Sequence, residues 1–244
     1  MQTDKDENAA PAASGKTGKK GAWHHGNLRE EMVKRGVELI ELRGAAELSL
    51  REVARMVGVS QTAPTHHFGD KEGLLAAIAS EGFRVLMGER MAALKDGMTK
   101  EQRLRVVMRV YVSFALRHPE LFHLMFGTRI PDKRKHAELM EASAGSFQFL
   151  SNSIAEFMAA DSNSDRPPRY SALAVWSGMH GLATLLADRD SGLFQVPDAK
   201  IDQVCDSVTT VLLDGLKAAQ VRESGEAAPA EKPAPRARKT AKAG

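Results

Sequence analysis

Residues 49–68 contain two short helical patterns separated by a tight turn, and this stretch constrains the fold more than any other part of the chain. Ser49 and Glu52 have the spacing of a capping box, which marks the start of a helix. The apolar residues that follow recur at helical intervals up to Val57. Gly58 then ends the pattern, because glycine readily adopts the left-handed conformation that closes a helix.

A second short helix is expected directly after this turn, from Gln61 to about His67, with Ser60 as its cap. Two short helices joined by a glycine-containing turn are typical of a helix-turn-helix, whose second helix enters the major groove of DNA. Gln can pair with adenine, and Thr can contact a thymine methyl group or a phosphate. A plain three-helix packing unit is the alternative, because short amphipathic helix pairs are common in helical proteins.

Helical patterns punctuated by proline fill the rest of the chain. One begins with a capping arrangement at Asn27 and Glu30 and ends at Gly44, and another begins at Asp70 and runs to about Arg90. Further helices are expected at about 101–117, 119–126, 133–160, 169–188 and 198–220. The chain is therefore predicted to be all-α, with an N-terminal three-helix helix-turn-helix unit followed by a C-terminal helical bundle.

The two ends of the chain differ in composition from its body. Residues 1–22 and 221–244 are rich in Ala, Lys and Gly or Pro without periodicity, and both are expected to be disordered tails. They hold ten of the 34 basic residues but only six of the 31 acidic ones. The formal net charge of +3 therefore comes from the ends, and any DNA-binding surface in the body must be a local patch.

Composition also argues against several classes of protein. The single cysteine, Cys205, leaves no disulfide framework, and it is expected to be a small buried hydrophobe rather than a redox sensor. The chain contains no run of about 18 apolar residues, so no membrane-spanning helix is predicted. No secretory signal is recognised either, and a cytoplasmic protein is therefore expected. His66 and His67 point about 100° apart on a helix, so no metal site is predicted there and no cofactor is expected.

Four short motifs follow one another between residues 25 and 86. They are Leu-Ile-x-x-x-Gly (39–44), Ser-Leu-Arg-Glu-Val-Ala (49–54), Gly-Val-Ser (58–60) and His-Phe-x-Asp-Lys-Glu-x-Leu-Leu (67–75). In this order and spacing they resemble the DNA-binding domain of TetR-family (TetR/AcrR-type) transcriptional regulators. Residues 174–183 resemble the Trp/His/Gly motif of one C-terminal domain type in that family. The resemblance implies a DNA-binding domain over 25–86 and an effector-binding and dimerisation domain over 100–220.

The resemblance further implies a homodimer that binds a near-palindromic double-stranded DNA operator and is released by a small-molecule effector. The residues that it places against DNA are Ser49, Arg51, Ser60, Gln61, Thr62, Thr65, His66, His67 and Lys71. Of these, Gln61, Thr62 and His66 are expected to face bases. Most relatives carry Tyr at the position of Thr65, where the Tyr hydroxyl commonly reaches a phosphate. The shorter Thr leaves the details of DNA contact open.

Two further sets of residues are expected in the C-terminal bundle. Trp176 and His180 lie one helical turn apart and share a face, which is typical either of a ligand pocket or of a packed interface. The expected effector pocket is mostly apolar and consists of Phe122, Phe126, Phe147, Trp176 and His180. Small residues of one helix and the apolar stripe of the last helix are expected to form the dimer interface, namely Gly178, Gly181, Leu185, Val204, Val208 and Leu212.

The expected function is a ligand-responsive transcriptional repressor, with an activator of the same family as the alternative. An enzyme built on a helical bundle is disfavoured, because the chain has no glycine-rich phosphate loop and no nucleophile elbow. A non-specific DNA-binding protein is disfavoured as well. Such binding needs many phosphate contacts, whereas the body of the chain has a slight excess of acidic residues.

Overall fold

The computed structural model describes residues 25–158, 168–188 and 196–225. Every regular element in these ranges is helical, which confirms the all-α prediction. The helices are α1 (His25–Arg43), α2 (Leu50–Val57), α3 (Ala63–Phe68), α4 (Lys71–Ala93), α5 (Lys100–Arg117), α6 (Pro119–Phe126), α7 (Ala137–Met158), α8 (Pro168–Ala187) and α9 (Ile201–Gly225). The predicted disordered segment 1–22 and most of 221–244 lie outside the described residues.

Local capping sets the boundaries of the helix-turn-helix. The Ser49 hydroxyl accepts a hydrogen bond from the Glu52 backbone N–H at 3.2 Å and starts α2 as predicted. Gly58 ends α2 with a φ of 76°, a left-handed conformation that other residues adopt only with strain. The Asp70 carboxylate accepts from the Gly73 N–H at 2.8 Å and starts α4, again as predicted.

Two other predicted caps are wrong. Helix α1 already begins at His25, so Asn27 lies inside the helix instead of at its end. Helix α3 begins at Ala63, and Ser60 lies in the turn before it, where its carbonyl accepts from the Ala63 N–H at 3.1 Å. Pro64 explains the later start, because it occupies the second position of α3, where a missing N–H leaves no helical hydrogen bond unmade.

Two of the later helices also begin after their predicted starts. Residues 133–135 wind into a tighter 3₁₀ turn, so α7 begins at Ala137. Helix α9 begins at Ile201 for the same reason, since a 3₁₀ turn precedes it. It continues to Gly225, five residues beyond its predicted end at about residue 220.

Helix α4 joins the DNA-side unit to the bundle. Its 23 residues extend about 35 Å, and it packs on α1 and α3 near its start and on α5, α6 and α7 further along. Glycines allow the closest approaches. A Cβ on Gly36 of α1 would lie 2.4 Å from Ile78 Cδ1, and a Cβ on Gly82 of α4 would lie 2.6 Å from Met125 Sδ. The two units therefore share one continuous core.

Polar contacts reinforce this junction. Glu138 of α7 accepts a hydrogen bond from Arg29 of α1 at 2.5 Å and another from Arg84 of α4. Just before α7, His136 Nε2 lies 3.2 Å from a carboxylate oxygen of Glu72 in the first turn of α4. Helix α7 is thus linked to the beginning and the middle of α4 as well as to α1.

The remaining predictions from composition concern Cys205, metal sites and membrane-spanning helices. Cys205 is buried, and burial raises the pKa of its thiol to about 11, which favours the protonated form and a packing role. Across the described residues, no group of His, Cys, Asp or Glu has an arrangement that could hold a metal ion. No helix in those ranges has the length and apolar character needed to cross a membrane.

The close contact between α4 and α6 can be tested with a pair of glycine substitutions. Gly82→Ala should lower the free energy of unfolding by about 1–3 kcal/mol, because the added methyl group overlaps Met125 and Leu121. Gly88→Ala on the same helix is the control. Nothing lies within 4 Å of its Cβ position, so it should stabilise by up to about 1 kcal/mol through helix propensity. Denaturant unfolding at one fixed protein concentration measures both changes. Equal stability of the two variants would contradict this packing.

Candidate DNA interface and ligand cavity

A shallow groove of about 760 Å³ lies where the starts of α2 and α4 meet α3, and we call it the recognition groove. Leu50 contributes to its wall, together with seven of the nine residues predicted to contact DNA, namely Ser49, Arg51, Gln61, Thr62, Thr65, His66 and Lys71. The lining includes two cationic side chains and no Asp or Glu. This charge balance suits a surface that meets phosphates.

The polar side chains of the groove come from α3 and the turn before it. Gln61, Thr62, Thr65 and His66 are all exposed, whereas Pro64 between them is buried against the domain. One side of this segment therefore anchors it, and the other presents hydrogen-bonding groups to solvent. Such groups can meet the edges of bases in a major groove.

The two cations border the groove at helix starts. Arg51 is exposed in the first turn of α2, and Lys71 is exposed at the start of α4, where its ammonium group donates to the Ala46 carbonyl at 2.8 Å. Ser49 has a local role as well, since its hydroxyl accepts from the Glu52 N–H. Cations and free N–H groups at helix starts are the features that hold a DNA backbone in register.

The other two predicted contacts, Ser60 and His67, lie beside the recognition groove. The Ser60 hydroxyl is exposed, 3.2 Å from that of Thr62. His67 is half-buried, with its ring centroid 6.2 Å from that of Phe68, and the Arg29 guanidinium lies over the Phe68 ring at 5.4 Å. Contact of Ser60 and His67 with DNA stays a prediction.

A second concave site lies inside the bundle. This bundle cavity has a volume of about 780 Å³ and is enclosed mainly by α4, α5, α6, α7 and α8. Of the predicted effector residues, Phe126, Phe147 and Trp176 line it. Phe122 and His180 instead line a neighbouring hollow between the end of α1, α6 and α8, and Phe126 borders both spaces. The predicted set is therefore divided between two adjoining sites.

Tyr111 of α5 holds the predicted Trp–His pair together, although no sequence pattern had singled it out. The Trp176 indole N–H donates to the Tyr111 hydroxyl at 3.2 Å, and that hydroxyl lies 2.8 Å from His180 Nδ1. Burial lowers the pKa of His180 and raises that of Tyr111, so both neutral forms are favoured. The His180 ring also stacks on Phe122 at 5.3 Å between centroids.

The cavity wall also contains two cations that the sequence analysis did not predict, the buried Arg90 and the half-buried Lys133. Arg90 is only 3% exposed, and its guanidinium donates to the Ser146 hydroxyl at 2.9 Å. Burial lowers the pKa of Arg90 to about 10 and also lowers the pKa of Lys133. The sequence does contain a pattern that sets Arg90 apart. It shares a helical stripe with the apolar residues Phe83 and Leu86, a position where a charge is unusual.

The outward surface of α8 and α9, which we call the α8–α9 face, is apolar and partly exposed. Gly178 packs against Leu212 of its own chain, so closely that a Cβ there would lie 3.0 Å from Leu212 Cδ2. Gly181 is exposed, and Leu185 is 48% and Val211 71% exposed. The predicted interface residues on this face are Gly178, Gly181, Leu185, Val204, Val208 and Leu212.

The fold and the recognition groove define a helix-turn-helix regulator, and comparison with known proteins identifies its family. The profile "Bacterial regulatory proteins, tetR family" matches residues 33–78, and the profile "Tetracyclin repressor-like, C-terminal domain" matches residues 104–212. The chain belongs to the TetR family of transcriptional regulators, which are DNA-binding proteins and not enzymes. Assignment of residues 174–183 to a Trp/His/Gly-motif domain stays a prediction.

Individual relatives agree with this family. The uncharacterized HTH-type transcriptional regulator Rv0472c of Mycobacterium tuberculosis is 32% identical over 129 residues, 51% of this chain and 55% of the relative. The chain thus spans about half the length of the curated relatives it matches. A structure of a protein with unknown function from Rhodococcus sp. RHA1 is 32% identical with a TM-score of 0.67, covering 80% of this chain and 98% of its own.

A more distant structure shares the fold alone. The transcriptional regulator FadR from Bacillus subtilis, in complex with stearoyl-CoA, has a TM-score of 0.61 at 15% identity. The match covers 76% of this chain and 98% of FadR.

Proposed function

We propose that this protein is a transcriptional repressor that binds a near-palindromic operator as a homodimer and leaves it when a small molecule occupies the bundle cavity. The recognition groove carries the proposal, because its lining combines exposed polar side chains of α3 and of the turn before it with two cations and no acidic residue. A DNA target places the site of action in the cytoplasm, where bacterial DNA lies.

Base readout and backbone contact fall to different residues in this proposal. Gln61, exposed just before α3, is the base reader, since its amide can pair with an adenine edge. Arg51 and Lys71 neutralise phosphates from the starts of α2 and α4. The division predicts that substitutions at the two kinds of position will have different signatures.

Gln61→Ala should lower affinity by about 1–3 kcal/mol for the preferred sequence and relax base preference at one position per half-site. Lys71→Ala should weaken all sequences about equally and reduce the slope of log affinity against log salt by about 0.9 per lost contact. The measurement is fluorescence anisotropy on a panel of base-substituted duplexes, after selection of a preferred site with the wild-type protein. Gln148→Ala, on the exposed side of α7, is the control. Uniform loss across the panel for Gln61→Ala would show that Gln61 reads no base.

The α8–α9 face supplies the dimer interface in this proposal. It combines exposed large apolar residues such as Leu185 and Val211 with small residues such as Gly181 that allow a second helix to approach closely. Two helices from each subunit would form a four-helix bundle, the usual way to bury such stripes. A palindromic operator requires the two-fold axis of such a dimer to hold the two recognition grooves about one DNA turn apart.

Val211→Glu should convert the dimer to a monomer, because pairing would bury an unpaired charge at a cost of several kcal/mol. Val211 is 71% exposed in the single chain, so the variant should keep its helical circular dichroism spectrum. Leu42→Glu on α1, at a position 78% exposed, is the matched control and should leave the dimer intact. Light scattering measures the molecular mass. A folded Val211→Glu protein that remains dimeric would exclude this interface.

The bundle cavity is the proposed effector site, and α4 is the proposed lever. Helix α4 begins at the recognition groove with Lys71 and contributes Phe83 and Arg90 to the cavity wall. A ligand shifts such an equilibrium only if it binds one arrangement of α4 better than another, and a typical coupling of about 2 kcal/mol changes operator affinity roughly 30-fold. The FadR neighbour, whose structure contains stearoyl-CoA, supports a ligand role for this fold.

A promoter that carries the selected operator provides the test of repression. With the promoter fused to a reporter gene, loss of the regulator should raise transcription, and a cavity ligand should raise it when the regulator is present. A fall in transcription on loss of the regulator would identify an activator and contradict the proposal.

A further inference from the structure

Arg90 is a buried cation with incomplete hydrogen bonding in the wall of the bundle cavity. It lies in the last turns of α4 with 3% of its surface exposed. One guanidinium nitrogen, Nη1, donates to the Ser146 hydroxyl at 2.9 Å, and the guanidinium carbon lies 5.6 Å from the centre of the Tyr111 ring. The Nε–H is buried and has no hydrogen-bond acceptor within the described part of the chain.

Among the described residues no Asp or Glu forms an ion pair with Arg90, whereas most arginines of the bundle surface have one. Burial lowers the pKa of Arg90 to about 10, so the side chain still carries its charge at neutral pH. A buried charge normally persists in proteins only with a partner, because desolvation without one is costly.

The rest of the cavity wall adds positive charge and no negative charge. Lys133 and Arg169 also line it, the lining contains no acidic residue, and Lys133 Nζ already donates to the Met125 carbonyl at 2.8 Å. Most other lining side chains are aromatic or aliphatic, such as Phe147 and Leu150. A neutral ligand would leave Arg90 without a counter-ion, and a cationic ligand would add repulsion.

We propose that the bundle cavity binds an apolar molecule that bears a carboxylate, and that Arg90 pairs with this carboxylate. The Nε–H and an adjacent Nη–H of a guanidinium form the fork that a carboxylate accepts in bidentate fashion. Aromatic and aliphatic side chains of α6, α7 and α8 enclose the apolar body. The inference rests on the proposed role of this cavity as the effector site and names the chemical class of the effector.

Three probes with the same ten-carbon chain isolate the head group: decanoate, decan-1-ol and decylammonium. The chain has two tryptophans, and Trp176 lines the cavity, so Trp23→Phe leaves a single indole that reports binding by fluorescence. Isothermal titration calorimetry gives the affinities independently. Decanoate should bind about 10- to 100-fold more tightly than decan-1-ol, and decylammonium should bind least tightly.

Arg90→Met keeps similar bulk without charge and should bring decanoate and decan-1-ol within about twofold of each other. Arg90→Lys should retain part of the preference, and it decides the question if Arg90→Met fails to fold. Arg134→Met, at an exposed position outside the cavity, should bind like wild type. The melting temperature of Arg90→Met should equal or exceed that of wild type, because an uncompensated buried charge is removed.

The inference is overturned if decanoate does not bind, if it binds no better than decan-1-ol, or if Arg90→Met keeps the full preference. An operator titration with decanoate present separates this result from the proposed function. Decanoate that binds with the expected preference but leaves operator affinity unchanged would contradict effector release while preserving the carboxylate site.

Discussion

The uninterrupted course of α4 is the constraint on which the rest of the structure depends. The Asp70 carboxylate fixes its first turn beside the recognition groove, and Arg90, five turns later, belongs to the wall of the bundle cavity. Between them Gly82 brings α4 against α6. A helix packed along its length is stiff, so displacement at one end changes position or tilt at the other. The distance between groove and cavity is therefore spanned by a single secondary-structure element.

Helix α7 provides a second connection that runs beside α4. The Ser146 hydroxyl of α7 accepts from Arg90 at the cavity, and Glu138, about two turns earlier on the same helix, accepts from Arg29 of α1 and from Arg84 of α4. A ligand that draws Arg90 away from Ser146 would change the relation of α4 to α7. The Glu138 contacts would then carry that change to α1. Because the interior is close-packed, such a change favours a shift between discrete arrangements over gradual deformation.

Local chemistry explains how much of this could be predicted from the sequence. Ser49 and Asp70 were predicted correctly as caps because each accepts a hydrogen bond from an N–H three residues along the chain. Such an interaction depends only on the local sequence. The prediction that Ser60 caps α3 was wrong because Pro64 shifts the start of that helix to Ala63. Tyr111 and Arg90 were missed as site residues, since their partners lie 56 to 69 residues away and only the tertiary fold brings them together. Seven of the nine predicted DNA contacts line one groove because they come from a single short segment of the chain, so the sequence alone could group them.

The uncompensated charge of Arg90 links ligand binding to the stability of the bundle. A buried charge without a counter-ion is destabilising, so the ligand-free bundle retains an unfavourable interaction that apolar packing elsewhere must offset. A carboxylate would remove that penalty only in arrangements where the guanidinium stays inside the cavity wall. Its binding energy would therefore favour one position of the end of α4 over others, which is the differential affinity that any ligand-driven change requires. Neutral apolar ligands could fill the same volume but would leave this penalty in place, and so would exert less control over α4.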